Sequence, residues 1–247
     1  MISKISIIGT GNVASWFYFA LQKVTNQKLR IEMVSGRDLS KLSKKSDLYI
    51  FSLKDDVYEE VLDKITFKMA FAVHTSGSHS IGLLQPYADR FGVIYPYQTI
   101  SKDFVEQATL VVPLCIEADC SYSEKELTQL CENISTKIYP TDEDQRKALH
   151  LAAIFACNFS NAMFSIADQI LLKNNITWDV LIPLLEQMVE KVKKISPAEA
   201  QTGPAKRGDI AVMQKHLNKL EGTDLQEIYL MMSAYIMDHN EPLNKQN

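Results

Sequence analysis

The chain has 247 residues, with 26 Lys and Arg against 30 Asp and Glu and a formal charge of −4. That near balance argues against a nucleic-acid binder, which carries a basic stripe. A 46% hydrophobic content supplies a core for one large or two modest domains. Nine glycines and eight prolines exclude a fibrous repeat, and no apolar run reads as the ~20 residues of a bilayer span.

Taken in order, short β-rich runs alternate with amphipathic stretches. Strands are predicted at Lys4–Ile8, Arg30–Ser35, Leu48–Leu53, Ala70–His74, Gly92–Tyr95 and Thr109–Ile116. Helices are predicted at Asn12–Val24, Asp56–Ile65, Ile81–Phe91 and Ser123–Ile134, with a short one at Leu39–Ser43. Such alternation predicts a doubly wound, mainly parallel α/β sheet. After Pro140 the texture becomes helical. Asp142–Lys173 contains neither Gly nor Pro, and Trp178–Ile195, Ile210–Glu221 and Asp224–Asp238 follow. The expected organisation is therefore a Rossmann domain over residues 1–140 and an all-α domain over 141–247.

Met1–Ile8 runs straight into glycines, as a first strand does, and lacks the cleavage site of a signal peptide. Cys115, Cys120, Cys131 and Cys157 form no C-x-x-C pair and no Cys/His cluster at metal spacing. The expectation is a cytoplasmic protein with reduced thiols, no metal and no membrane partner.

Gly9-Thr10-Gly11-Asn12-Val13-Ala14 is a G-x-G-x-x-A turn between strand and helix. Gly9 permits the tight turn, Gly11 lets the backbone approach a pyrophosphate, and Ala14 lets the helix pack closely. The helix N-terminus offers unpaired N–H groups to the phosphates. No Gly-Lys-Ser/Thr follows, which excludes a Walker loop. The second strand ends in Ser35-Gly36-Arg37-Asp38. Arg37 suits a ribose 2′-phosphate and therefore NADP, whereas Asp38 is the competing carboxylate for NAD or a cap for the next helix. Ser52 and Leu53 follow the third strand, His74 and Ser76 the fourth, and Tyr95–Thr99 the fifth. Carboxyl ends of strands are where such sheets bind ligands. With Gly9–Val13, Ser35 and Arg37, the residues Ser52, Leu53, His74 and Ser76 complete the expected cofactor set. Ser76 lies in Ser-Gly-Ser, not a G-x-S-x-G elbow.

In the helical half, His150, Asn158, Asn161 and Ser165 fall within roughly 80° on a regular helix and form a polar stripe, read as a substrate-facing seam or a hydrogen-bonded helix interface. Thr202-Gly203-Pro204-Ala205-Lys206-Arg207-Gly208-Asp209 precedes another helix. Arg207 is either a bidentate clamp on a substrate anion or a solvated charge. Asp209 is either its partner or the cap of the helix at Ile210.

GTGNVA (Gly9–Ala14), HTSGS (His74–Ser78), YPYQT (Tyr95–Thr99), HLAAIFACN (His150–Asn158) and TGPAKRGD (Thr202–Asp209) together resemble a family of bacterial Rossmann-like proteins, domain of unknown function 2520. This family is similar to pyrroline-5-carboxylate reductase and deazaflavin-dependent NADP oxidoreductases. The resemblance implies NADP binding and a helical domain like the carboxyl-terminal part of 6-phosphogluconate dehydrogenase, usually dimerised; it implies no substrate. The chain departs from the pattern in two places. Tyr95-Pro96 stands where the family commonly shows His-Pro. Lys147 is followed four residues later by Leu151, so the Lys-x-x-x-Asn pair of the 6-phosphogluconate relatives is missing.

The function expected is an NADP(H)-dependent oxidoreductase transferring hydride to a small C=O or C=N substrate, with room for an anionic one. His150 would donate the proton, Asn158 would hold the substrate oxygen or nitrogen, and Arg207 would anchor its anion. From another class stands a non-catalytic NADP-binding sensor or scaffold. A methyltransferase is disfavoured by Arg37. A homodimer through the helical domain is expected.

Overall fold

The first strand owes its burial to both of its faces. In a computed structural model describing residues 2–24, 29–107 and 112–239, β1 (Lys4–Ile8) lies between β2 (Arg30–Val34) and β3 (Leu48–Phe51), both parallel to it. Next come β4 (Met69–His74), β5 (Ala88–Pro96), β6 (Leu114–Ala118) and β7 (Ile138–Pro140), giving the order β2-β1-β3-β4-β5-β6-β7. Among the described residues, only the β5–β6 pairing is antiparallel.

Alternate side chains of each strand feed two separate cores, as a pleated period of two requires. Leu48 and Ile50 join one core with Ala14, Phe17 and Leu21 of α1 (Asn12–Val24), and with Leu127 and Cys131. Tyr49 and Phe51 join the other with Val61 and Leu62. Both faces are thus covered, and the expected doubly wound, mainly parallel sheet is the one observed.

Around the sheet stand α2 (Tyr58–Leu62, after a 3-10 turn at Asp55–Val57), α3 (Lys102–Gln107) and α4 (Ser121–Cys131). The helix expected over Ile81–Phe91 is not formed. Pro86 interrupts it, so only the 3-10 turn Ile81–Leu84 remains, and Ala88–Phe91 joins β5. The helix expected at Leu39–Ser43 is also replaced by turns, because the Asp38 carboxylate accepts from the Ser40 amide (2.9 Å), two residues on. The expected strand Thr109–Ile116 begins in part outside the described residues; its described portion is β6.

Beyond Pro140 the described chain is helical: α5 (Glu143–Ala153), a π-helical segment at Ile154–Phe159, α6 (Ser160–Leu172), α7 (Ile182–Val192), α8 (Pro197–Ala200), α9 (Pro204–Arg207), α10 (Ile210–Lys219) and α11 (Leu225–Asp238). The sheet ends at Pro140, but the compact units are Met1–Asn161 and Ala162–Asn247. The first extends past the last strand because α5 carries Arg146, which is bonded to β6 and to the loop after β4.

The helical run Glu143–Leu172 is 30 residues long, and its most apolar window has a mean hydropathy of 1.4 with none of that window buried. By length and composition it is long enough to cross a membrane, which corrects the expectation that no such run exists. The π-helical turns also change the register between His150 and Asn161. The 100° count that set His150, Asn158, Asn161 and Ser165 on one stripe therefore does not apply.

In the second unit, only Ala205, Met213 and Ser233 are buried among the described residues. Gly203 (φ +108°) and Gly208 (φ +67°) flank α9 in backbone that favours glycine, and the Asp209 carboxylate accepts from the Val212 amide at 3.1 Å. Asp209 is therefore the cap of α10, and the TGPAKRGD string builds a double turn.

Candidate functional site

A cleft of about 940 Å³ opens in the first unit at the carboxyl ends of β1, β2 and β3, where the strand order switches direction. The phosphate turn forms its floor. Gly9 sits at φ +135°, and a Cβ there would lie 2.0 Å from the Ser52 carbonyl oxygen. Only glycine lets β1 and β3 come this close. A Cβ on Gly11 would meet nothing within 4 Å, so the backbone of that residue faces open space. The Asn12 side chain donates to the Ile100 carbonyl (3.0 Å), tying the turn to the segment after β5.

Gly9, Thr10, Gly11, Asn12, Val13, Ser35, Arg37, Ser52, Leu53, Ser76 and His150 all line this cleft. Arg37 is exposed, and the Ser35 hydroxyl accepts from its amide at 3.2 Å. Lys54, Asp55, Thr75 and Gly77, from the same segments that follow the third and fourth strands, line it too.

His74 is placed differently from its expected role. It is fully buried: its Nδ1 accepts from the Ser76 amide (3.2 Å), and its Nε2 is 3.2 Å from the Ser80 carbonyl. Burial first, and then the nearby Arg146 charge, push its pKa down to about 3. A neutral ring with both nitrogens engaged by its own loop shapes the 74–80 segment rather than facing the cleft. Asn158 is exposed and is not among the residues lining the cleft; Arg207, in the second unit, is exposed.

His150, which lines the cleft, is bonded to a residue from a distant part of the chain. The Tyr95 hydroxyl on β5 lies 3.0 Å from Nδ1 of His150 on α5. Burial, with Tyr97 next, pushes the Tyr95 pKa up to about 12, so the hydroxyl keeps its proton at neutral pH. Gly77 closes the triangle: a Cβ there would lie 2.8 Å from His150 Nδ1 and 2.9 Å from Tyr95 Cζ.

Asp55 lines the cleft as well. Its carboxylate accepts from the Ser78 hydroxyl (2.6 Å). Burial would raise its pKa, but hydrogen bonds from Ser78 and Ser76 and the charges of His79 and His150 leave it below the usual value. The cleft is therefore lined by the backbone of the glycine turn, the Arg37 cation, the Asp55 carboxylate and the His150 imidazole, to which the Tyr95 phenol is bonded.

The model of the family described as domain of unknown function (DUF2520) matches residues 112–236. The solved structure of a "putative NADP oxidoreductase" from Bacteroides fragilis is 33% identical, with 96% of this chain and 98% of that one covered and a TM-score of 0.84. The chain belongs to the DUF2520 family.

Two further solved structures share the fold. One is 1-pyrroline-5-carboxylate reductase from Streptococcus pyogenes, at 16% identity, 97% and 98% coverage and a TM-score of 0.59. The other is Plasmodium falciparum pyrroline carboxylate reductase with NADP bound, at 12% identity, 96% and 98% coverage and a TM-score of 0.53. No curated protein matches the chain. The family resemblance drawn from the sequence is borne out. Tyr95 is the residue found on His150.

Proposed function

We propose that this DUF2520 protein is an NADP(H)-dependent oxidoreductase acting on a small C=O or C=N substrate. The observation that carries the reading is His150, bonded to Tyr95 and lining the same cleft as an open glycine turn and an exposed arginine. The residues fit the dinucleotide. Amides of Thr10–Val13 at the start of α1 would hold the diphosphate, and Arg37 beyond β2 would take the 2′-phosphate bidentately. When bound, the cofactor supplies or accepts the hydride.

The protein's part is to orient the substrate and move a proton. With Tyr95 donating to Nδ1, neutral His150 keeps its proton on Nε2, ready to polarise a substrate oxygen or nitrogen. If His150 is the imidazolium, its Nδ1–H donates instead to the Tyr95 oxygen, so one hydroxyl supports both protonation states. Asn158 as holder of the substrate atom and Arg207 as anchor of an anion stay in the reading on residue type alone.

We include a homodimer through the helical unit, read as 6-phosphogluconate-dehydrogenase-C-terminal-like. Leu172, Val180, Leu184, Leu230 and Met231 are each about half exposed or more, and three buried residues make no core. A second copy, rather than lipid, would cover these faces and the apolar run Glu143–Leu172. Four free cysteines support a cytoplasmic location. Light scattering in detergent-free buffer should give twice the protomer mass; a species that is dispersed only in detergent would overturn the dimer.

The functional test is calorimetric titration with NADPH, NADH and S-adenosylmethionine, followed by NADPH oxidation against keto acids and imines. NADPH should bind about tenfold or more tightly than NADH, with Arg37→Ala abolishing the difference. Response only to the methyl donor would defeat the class. Tight NADPH binding with no turnover, and no effect of His150→Ala, would favour the sensor.

A further inference from the structure

The side chain of Arg146 is fully buried, although it carries a permanent charge. It lies on α5, one helical turn before His150. Its Nε donates to Oε2 of Glu117 on β6 at 3.0 Å, and its Nη1 donates to the Ser76 carbonyl at 3.2 Å. Nη2 lies 3.0 Å from the same Glu117 oxygen but off the line of a hydrogen bond. One planar guanidinium thus joins three elements: α5, β6 and the loop after β4.

These elements hold the His150–Tyr95 pair. His150 is on α5, Gly77 follows Ser76 in the loop, and Tyr95 is on β5, which pairs with β6 at Tyr95↔Cys115 and Val93↔Glu117. An ion pair taken out of water gives little net stability over a well-packed apolar pair, because desolvation offsets attraction. What it does give is a fixed relative position. The fork geometry reaches a carboxylate and a carbonyl together, which the single ammonium of lysine does not reproduce.

We propose that Arg146, through Glu117 and the Ser76 carbonyl, is the positioning residue that sets the cleft-lining His150 against Tyr95. The inference rests on the oxidoreductase reading for its functional meaning, but its geometry is testable without substrate.

The test uses the full chain and nitrogen-15 NMR of the imidazoles, with Tyr95→Phe as the reference for a broken pair. A double variant, Arg146→Met with Glu117→Leu, removes both charges at similar volume. It should stay folded and move the His150 ring signals to those of the reference, while NADPH affinity changes by less than about threefold because the glycine turn and Arg37 are untouched. Arg146→Lys should move them part of the way, and it carries the same readout if the double variant does not fold. A folded variant with wild-type His150 signals overturns the proposal. Failure of the wild-type protein to bind NADPH would instead defeat the functional reading and leave the NMR result standing.

Discussion

Gly77→Ala isolates the geometry of the site in one methyl group. Its Cβ would lie 2.8 Å from His150 Nδ1, 2.9 Å from His150 Cγ and 2.9 Å from Tyr95 Cζ, whereas ordinary contact begins at 3.4 Å. The rings must therefore part by about 0.5 Å, which takes a hydrogen bond of 3.0 Å to its limit near 3.5 Å. Overpacking of this kind costs about 1–3 kcal/mol, against about 0.4–1 kcal/mol gained by stiffening the unfolded chain. The net loss of about 1–2 kcal/mol should lower Tm by roughly 2–8 °C for a chain of this size. Scanning calorimetry reads the shift and imidazole NMR reads the pair. Turnover on any accepted carbonyl or imine should fall at least about tenfold, since a positioned proton donor contributes 10²–10⁴-fold. A rise in Tm with His150 signals unchanged would show that only the unfolded-state term operates, and would refute the packing argument.

Three further outcomes are expected. Gly9→Ala puts a Cβ 2.0 Å from a backbone oxygen at φ +135°, so the turn must move; NADPH binding should be lost in titration calorimetry and Tm should drop sharply. His74 titrates near its ordinary value when unfolded but only at about 3 when folded, so the unfolded chain binds the extra proton between these values and stability falls as pH drops through that window. From pH 7 to 5 the loss should be about 2 kcal/mol, measured by denaturant melts, and His74→Gln should remove this part of the slope. Asp209→Ala deletes the cap of α10 and should cost about 1 kcal/mol in the same melts, with NADPH binding unchanged.

The sheet was legible because its signals are local. Lys4–Ile8 and Asn12–Val24 were bounded by Gly9 and Gly11, and a parallel strand buried on both faces reads as an apolar run. The misassigned Ile81–Phe91 contained its own warning in Pro86. Strand β7 has three residues, too few for a periodicity to show. The stripe on the long helix failed for another reason. A π-helical segment is a tertiary accommodation that no residue count announces. The buried role of His74 was equally hidden, since a histidine before Thr-Ser-Gly-Ser reads the same whether its ring faces a ligand or its own loop.

The residues gathered around His150 were the least legible, and the reason is topological. Tyr95 and His150 are separated by 55 positions, and Ser76 and Arg146 by 70. Neither pair leaves a spacing pattern, because each partner ends a different element and only the winding of the sheet brings them together. Gly77 looked like turn chemistry, yet its lack of a side chain is what lets two rings meet. Arg146 looked like one charge on an amphipathic helix, yet it is the residue on which α5, β6 and the loop after β4 converge. A cleft built this way can keep its dinucleotide turn constant while exchanging the groups around the imidazole. In this chain, that imidazole has a phenol bonded to it and shares the cleft with a carboxylate.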